Sequence, residues 1–131
     1  MAAQHRTTVT PFLTVNDGQK AVAFYIAAFG ATELKRHPMP GGKLTSEISI
    51  EGALFFVGDE EPQFGNTGPD AHSNSPVRII LQTQKADELF ELAVQQGASQ
   101  ICPMTTEDYW RIGKLKDPFG HTWEIGYILQ D

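Results

Sequence analysis

One cysteine, Cys102, among 131 residues cannot close a disulfide within the chain, so no covalent framework stands in for a hydrophobic core. No apolar run is longer than a few residues, and the N-terminus has no charged stretch leading into a hydrophobic one, so no membrane segment is expected. Basic residues are scarce. Ten Lys and Arg stand against 16 Asp and Glu, for a net charge of -6, and no basic run exists to neutralise a nucleic-acid backbone or an anionic lipid surface. There is also no Gly-rich strand-to-helix turn of the kind that cradles a dinucleotide-type cofactor. The expectation is a cytoplasmic protein with no nucleic-acid partner, no membrane and no cofactor, whose partners are a small-molecule ligand and a second copy of itself. Hydrophobic residues at 40% and charged residues at 20% suit one globular domain over residues 1–131, with a real core.

Periodicity divides the chain into two similar halves. Thr8 to Val15 alternates as a strand. Asn16 or Asp17 then caps a helix through Phe29, whose Ala21, Phe24, Tyr25, Ala28 and Phe29 form one stripe, and Gly30 ends it. Strands are predicted over Thr32 to Pro38, Lys43 to Ile50 and Ala53 to Val57, separated by turns at Gly41-Gly42 and Glu51-Gly52. Gly58 to Pro76, rich in Gly and Pro, reads as a connector. The second half opens with a strand over Val77 to Thr83 and a helix striped by Ala86, Leu89, Phe90, Ala93 and Val94, ending in Gly97-Ala98. A segment containing Pro103 and Met104 reads as a loop as far as a strand from Gly113 to Lys116. The helix-ending glycines Gly30 and Gly97 lie 67 residues apart, and the turn glycines Gly52 and Gly120 lie 68 apart. That near-constant offset identifies two copies of β-α-β-β-β, at about residues 8–58 and 77–128. The fold class expected is α+β: two such modules forming a curved mixed sheet, helices outside, around a concave cleft.

Asp117-Pro118-Phe119-Gly120 has the residue order of a type I turn. In the strand after it, Trp123, Ile125 and Tyr127 share a core-facing side, while Thr122, Glu124 and Gly126 share the other. This segment resembles the C-terminal signature of the vicinal oxygen chelate superfamily, the glyoxalase, bleomycin-resistance and ring-cleaving dioxygenase group. With Thr10 to Val15, Ala21 to Gly30 and the paired-module pattern, the chain is most similar to the glyoxalase-like branch often labelled 3-demethylubiquinone methyltransferase-like. The resemblance implies a metal site with ligands on the opening and closing strands of each module, and it makes Glu124 the counterpart of a metal-binding glutamate. Projected through the repeat, the four positions are Thr10, Phe56, Arg78 and Glu124. One carboxylate beside a guanidinium and a phenyl ring is not a divalent-metal donor set, so no metal is expected. An Arg78–Glu124 ion pair, with the guanidinium fork gripping the carboxylate, is expected in its place.

Other residues extend the candidate site. Phe12, Leu54, Phe56, Ile80 and Leu115 are predicted to face the cleft and make it largely apolar, with Tyr109 and Trp110 on a loop as a stacking wall. Glu47, sharing a face with Thr45 and Ser49, is either a polar contact in the concavity or a solvated strand residue. His5, His37, His72 and His121 share no face and read as surface or turn residues; Cys102 reads as a small packed residue and Asp59-Glu60-Glu61 as a solvated loop end. The ligand-binding set is thus Thr10, Phe12, Glu47, Phe56, Arg78, Tyr109, Trp110 and Glu124, with the catalytic residues unknown. It suits a small-molecule-binding protein without metal. The alternatives are a metal-independent lyase or isomerase using a cleft carboxylate, and a metal-dependent glyoxalase or dioxygenase type of enzyme.

Overall fold

In the computed structural model, which describes residues 6–70 and 74–129, each half of the chain folds into its own four-stranded mixed sheet with one helix. Strand β1 (Phe12–Val15) leads to helix α1 (Gly18–Phe29), followed by β2 (Thr32–Pro38), β3 (Leu44–Ile50) and β4 (Ala53–Asp59). The second module repeats the order with β5 (Arg78–Gln82), α2 (Ala86–Gln95), β6 (Ser99–Thr106), β7 (Trp110–Lys116) and β8 (Thr122–Ile128). The sheets run β1-β4-β3-β2 and β5-β8-β7-β6. Each opening strand lies parallel to its closing strand, and the remaining pairs are antiparallel. The α+β architecture of two β-α-β-β-β modules, each with its own mixed sheet, is the one expected.

Local chemistry sets most of the boundaries. The Asp17 carboxylate accepts from Lys20 N at 3.1 Å and starts α1, and Gly30, at φ 65°, closes it by donating its backbone N–H to Ile26 O. Regular pairing of β1 begins at Phe12 rather than at Thr8, although the Pro11 carbonyl still accepts from Phe56 N. Val94 remains 39% exposed, so the buried stripe of α2 is Ala86, Leu89, Phe90 and Ala93. Asp59, expected as a solvated loop end, closes β4 and is tied down: Gly18 N donates to its Oδ1 and Leu44 N to its Oδ2.

A common core joins the modules on the helix side. Leu44, Ile48, Val57, Leu115 and Ile125 are at most 2% exposed, and Trp123 packs its ring 4.9 Å from Phe29 and 5.7 Å from Tyr25 and Phe55. At the centre is the buried carboxylate of Asp117. Its Oδ2 accepts from Tyr25 Oη at 2.5 Å and Trp123 Nε1 at 2.9 Å, and its Oδ1 accepts from the backbone N–H of Phe119 and His121. A module 1 helix is thereby fastened to the last turn and last strand of module 2. His121 adds a second tie, its Nε2 lying 2.8 Å from Thr14 O.

Burial first, and the Asp117 charge second, push the Tyr25 phenol well above its usual 10.0. A raised folded-state value makes the stabilisation complete below the unfolded tyrosine value and lost as pH rises through the folded one. Tyr25→Phe should destabilise by roughly 1–3 kcal/mol at neutral pH, since it strips one donor from a buried carboxylate. Urea unfolding at pH 7 and above pH 10 should also show the wild-type advantage over the variant shrinking at the alkaline end.

Candidate functional site

Strand register decides which side chains look away from the helices. In β3, Leu44, Ser46, Ile48 and Ile50 are buried toward the core, so Thr45, Glu47 and Ser49 occupy the opposite face, half-buried. Glu47 is among them, with His37 Nε2 3.0 Å from its Oε2. Phe12 and Phe56 are register partners on β1 and β4, and their rings stack at 5.9 Å and 22°. Phe12 lies over Gly58, where an added Cβ would meet its ring carbons at 2.8 Å; any larger residue at 58 would displace the ring. Thr10, half-buried, precedes β1.

In the second module, Arg78, Ile80 and Gln82 point away from the core, whereas Leu81 is buried in it. Antiparallel register sets Lys114 opposite Glu124 and Ile112 opposite Gly126. Leu115 is the exception among the expected cleft residues: it pairs with Trp123 and is fully buried, so it belongs to the core. The cleft side of β7 carries Ile112 and Lys114 instead. Tyr109 and Trp110 depart from the expected loop in part, because β7 begins at Trp110 and β6 extends through Pro103 to Thr106 with register shifts around Cys102. Their rings stack at 6.2 Å and 17°, with Tyr109 the more exposed. Cys102 is exposed, contrary to the expected packed position, because β6 is the sheet edge and its irregular register turns the thiol out of the core.

Some of these residues line a half-open cavity of about 220 Å³, formed by Cys102, Thr105, Trp110, Ile112, Lys114 and Glu124 among others; Arg78, Ile80 and Tyr109 do not line it. Glu124 is 8% exposed. Arg78 Nη1 lies 3.0 Å from its Oε2, while the Arg78 side chain is 57% exposed. The ion pair exists, but as a single contact without hydrogen-bond alignment rather than a two-pronged grip: among the described residues, Glu124 Oε2 has no hydrogen-bond partner. The two half-sites are not joined. No hydrogen bond, ion pair or ring contact links Phe12 or Phe56 to Arg78 or Glu124 among the described residues.

At the four positions where the family resemblance places metal ligands, the structure offers a hydroxyl, a phenyl ring, a guanidinium and one carboxylate. Among the described residues, no three His, Cys, Asp or Glu side chains are grouped so that they could hold a metal ion. His37 and His121 are engaged with Glu47 and with Thr14 O; His5 and His72 lie outside the described residues.

Comparison with known proteins agrees with this architecture. Residues 4–125 match the model of the Glyoxalase/Bleomycin resistance protein/Dioxygenase superfamily, and the chain belongs to that superfamily. An uncharacterised protein of Mycobacterium bovis is 34% identical across the whole chain and 90% of its own length. Among solved structures, an Arabidopsis thaliana gene product is 30% identical at a TM-score of 0.66, over 93% of this chain and 98% of that one. TioX from Micromonospora superposes at a TM-score of 0.73, with 21% identity over 95% of this chain and 100% of its own. The fosfomycin resistance protein FosX of Listeria monocytogenes, solved with Mn(II) and sulfate, superposes at 0.65 with 16% identity, covering 95% of this chain and 93% of its own. The last two likenesses define the fold alone.

The sequence reading passed over Asp117 as anything but a turn residue, and it passed over Lys114. Both were within reach: pairing back from the Asp117–Gly120 turn sets Lys114 opposite Glu124, and a single leucine between two lysines signals that Leu115 faces inward. Because Arg78 stays largely in solvent, its coupling to Glu124 should be weak. A double-mutant cycle of Arg78→Met and Glu124→Gln, read by chemical unfolding, should return about 0–1 kcal/mol; a value of roughly 3 kcal/mol or more would mean a sheltered pair.

Proposed function

We propose that this superfamily member is a metal-independent small-molecule-binding protein whose cleft lies on the sheet faces turned away from the helices. The observation that carries the reading is the 220 Å³ cavity with Trp110 and Ile112 in its walls and the buried Glu124 among them. A concavity with an aromatic wall and convergent polar groups, here Glu107, Lys114 and Glu124, is a form that small-ligand sites take. The donor set at Thr10, Phe56, Arg78 and Glu124 does not fit a divalent ion, and a guanidinium 3.0 Å from the carboxylate would repel one.

Ligand contacts are assigned to Trp110 and Glu124, which line the cavity, with Tyr109 and Arg78 packed beside them, and to Thr10, Phe12, Glu47 and Phe56 on the other module. A homodimer is part of the proposal. Phe12, Leu54 and Ile80 are 52%, 42% and 56% exposed, a large apolar area for a monomer to leave in water. A two-fold axis pairing unlike modules would cover these side chains and unite the half-sites. The free thiol of Cys102 suits a cytoplasmic setting. A second reading is a metal-free lyase or isomerase, favoured only by the unpartnered oxygen of Glu124, which could take a proton from a bound substrate.

Sedimentation at micromolar concentration should give a dimer, and Phe12→Glu should shift it toward monomer. Ligand-observed NMR with a library of neutral planar fragments should find hits that Trp110→Ala abolishes and that remain chemically unchanged over hours. Conversion of a bound compound would support the enzyme reading. Hits indifferent to Trp110→Ala would place binding elsewhere and overturn the proposed cleft.

A further inference from the structure

Lys114 and Glu124 are opposed across β7 and β8, they line the same cavity, and yet they do not pair. Directly opposed residues of an antiparallel pair hold their Cβ atoms about 5 Å apart, close enough for a lysine and a glutamate to meet. Among the described residues, Lys114 has no hydrogen-bond or ion-pair partner, and Glu124 Oε2 accepts no hydrogen bond although the side chain is nine-tenths buried. A lysine without a partner among the described residues and a carboxylate oxygen held only by the misaligned Arg78 guanidinium thus line one cavity. A buried acceptor without a donor is costly, and the cost is removed by whatever supplies the missing N–H or O–H.

The surroundings narrow the chemistry. Lys114 and Arg78 supply two positive charges; Glu124 and Glu107, which also lines the cavity, supply two negative ones, so the site attracts neither an anion nor a cation in particular. Trp110 presents a ring to the cavity and is backed by Tyr109, which does not line it. A flat, neutral ring can lie on that surface. To satisfy Lys114 and Glu124 together, its edge must carry an acceptor next to a donor, and about 220 Å³ admits a bicyclic ring of this kind.

Building on the binding reading above, we infer that the cavity takes a neutral planar lactam, with its ring N–H donating to Glu124 Oε2 and its carbonyl accepting from Lys114 Nζ. The edge has one polarity. A ring carrying only an acceptor leaves Glu124 Oε2 unsatisfied, and one carrying only a donor leaves Lys114 unused.

The probe is isoquinolin-1(2H)-one, compared with its N-methyl derivative and with isoquinoline, each titrated against the full-length protein by calorimetry. The lactam should bind, and N-methylation should weaken it by about tenfold or more, because it removes the donor without altering the ring. Lys114→Met, its fold checked by circular dichroism, should also weaken the lactam by several-fold and narrow its advantage over isoquinoline. Equal affinity for the lactam and its N-methyl derivative in the wild type would overturn the inference without recourse to any variant. If both bind equally and Trp110→Ala abolishes both, the cleft still binds planar rings and only the lactam edge is wrong. If neither the probes nor any fragment binds, the small-molecule reading fails along with it.

Discussion

The carboxylate of Asp117 is the interaction on which the two-module arrangement depends. It is 3% exposed, and four donors converge on it: a tyrosine hydroxyl from α1, an indole N–H from β8 and two backbone amides of its own turn. A buried charge is tolerable only when its lone pairs are filled, and here they are. Among the described residues no strand of one sheet pairs with a strand of the other, so this network, the aromatic rings around Trp123, the packing of α1 on α2 and the His121 contact to Thr14 carry the orientation between them. The same β8 that delivers Trp123 into the core delivers Glu124 to the opposite face. Period-two alternation makes the core anchor and the cleft carboxylate adjacent in sequence, and the position of one fixes the position of the other.

Glu124 is the contrast to Asp117. Both carboxylates are buried, but Asp117 is fully satisfied, whereas Glu124 Oε2 accepts no hydrogen bond among the described residues and meets a poorly aligned, solvent-facing guanidinium. In stable structures an unsatisfied buried acceptor is uncommon enough to call for a partner from outside the chain. The cavity beside it, lined by Lys114 and Trp110, is where the proposed ligand is assigned. This difference between two acids a few residues apart separates the structural role of the final hairpin from the functional role proposed for it.

Much of the fold was legible in the sequence because its signals are local. The Asp17 cap, the left-handed Gly30, the Glu51-Gly52 turn with both residues at positive φ, and the Asp117-Pro118-Phe119-Gly120 turn are each dictated by a few neighbouring residues. The repeat of glycine spacing then gave the module count. Less of the site was legible, since it depends on register between strands. The irregular β6–β7 pairing obscured that Trp110 opens a strand, that Cys102 is exposed and that Leu115 faces the core. Asp59 was misjudged for a related reason: its partners, Gly18 and Leu44, are remote in sequence, and nothing local distinguishes a carboxylate tied to two backbone amides from one in solvent. The Arg78–Glu124 contact was foreseeable from the paired opening and closing strands, whereas its misalignment was not.

The central claim is that this cleft works without a metal. Elemental analysis of protein purified from its own host, repeated after equilibration with excess Mn(II) and desalting, tests it most directly. The account predicts well under one equivalent of Zn, Ni, Mn or Fe per chain in both samples. One tightly held metal per chain, lost on Glu124→Gln in a variant that still folds, would contradict it.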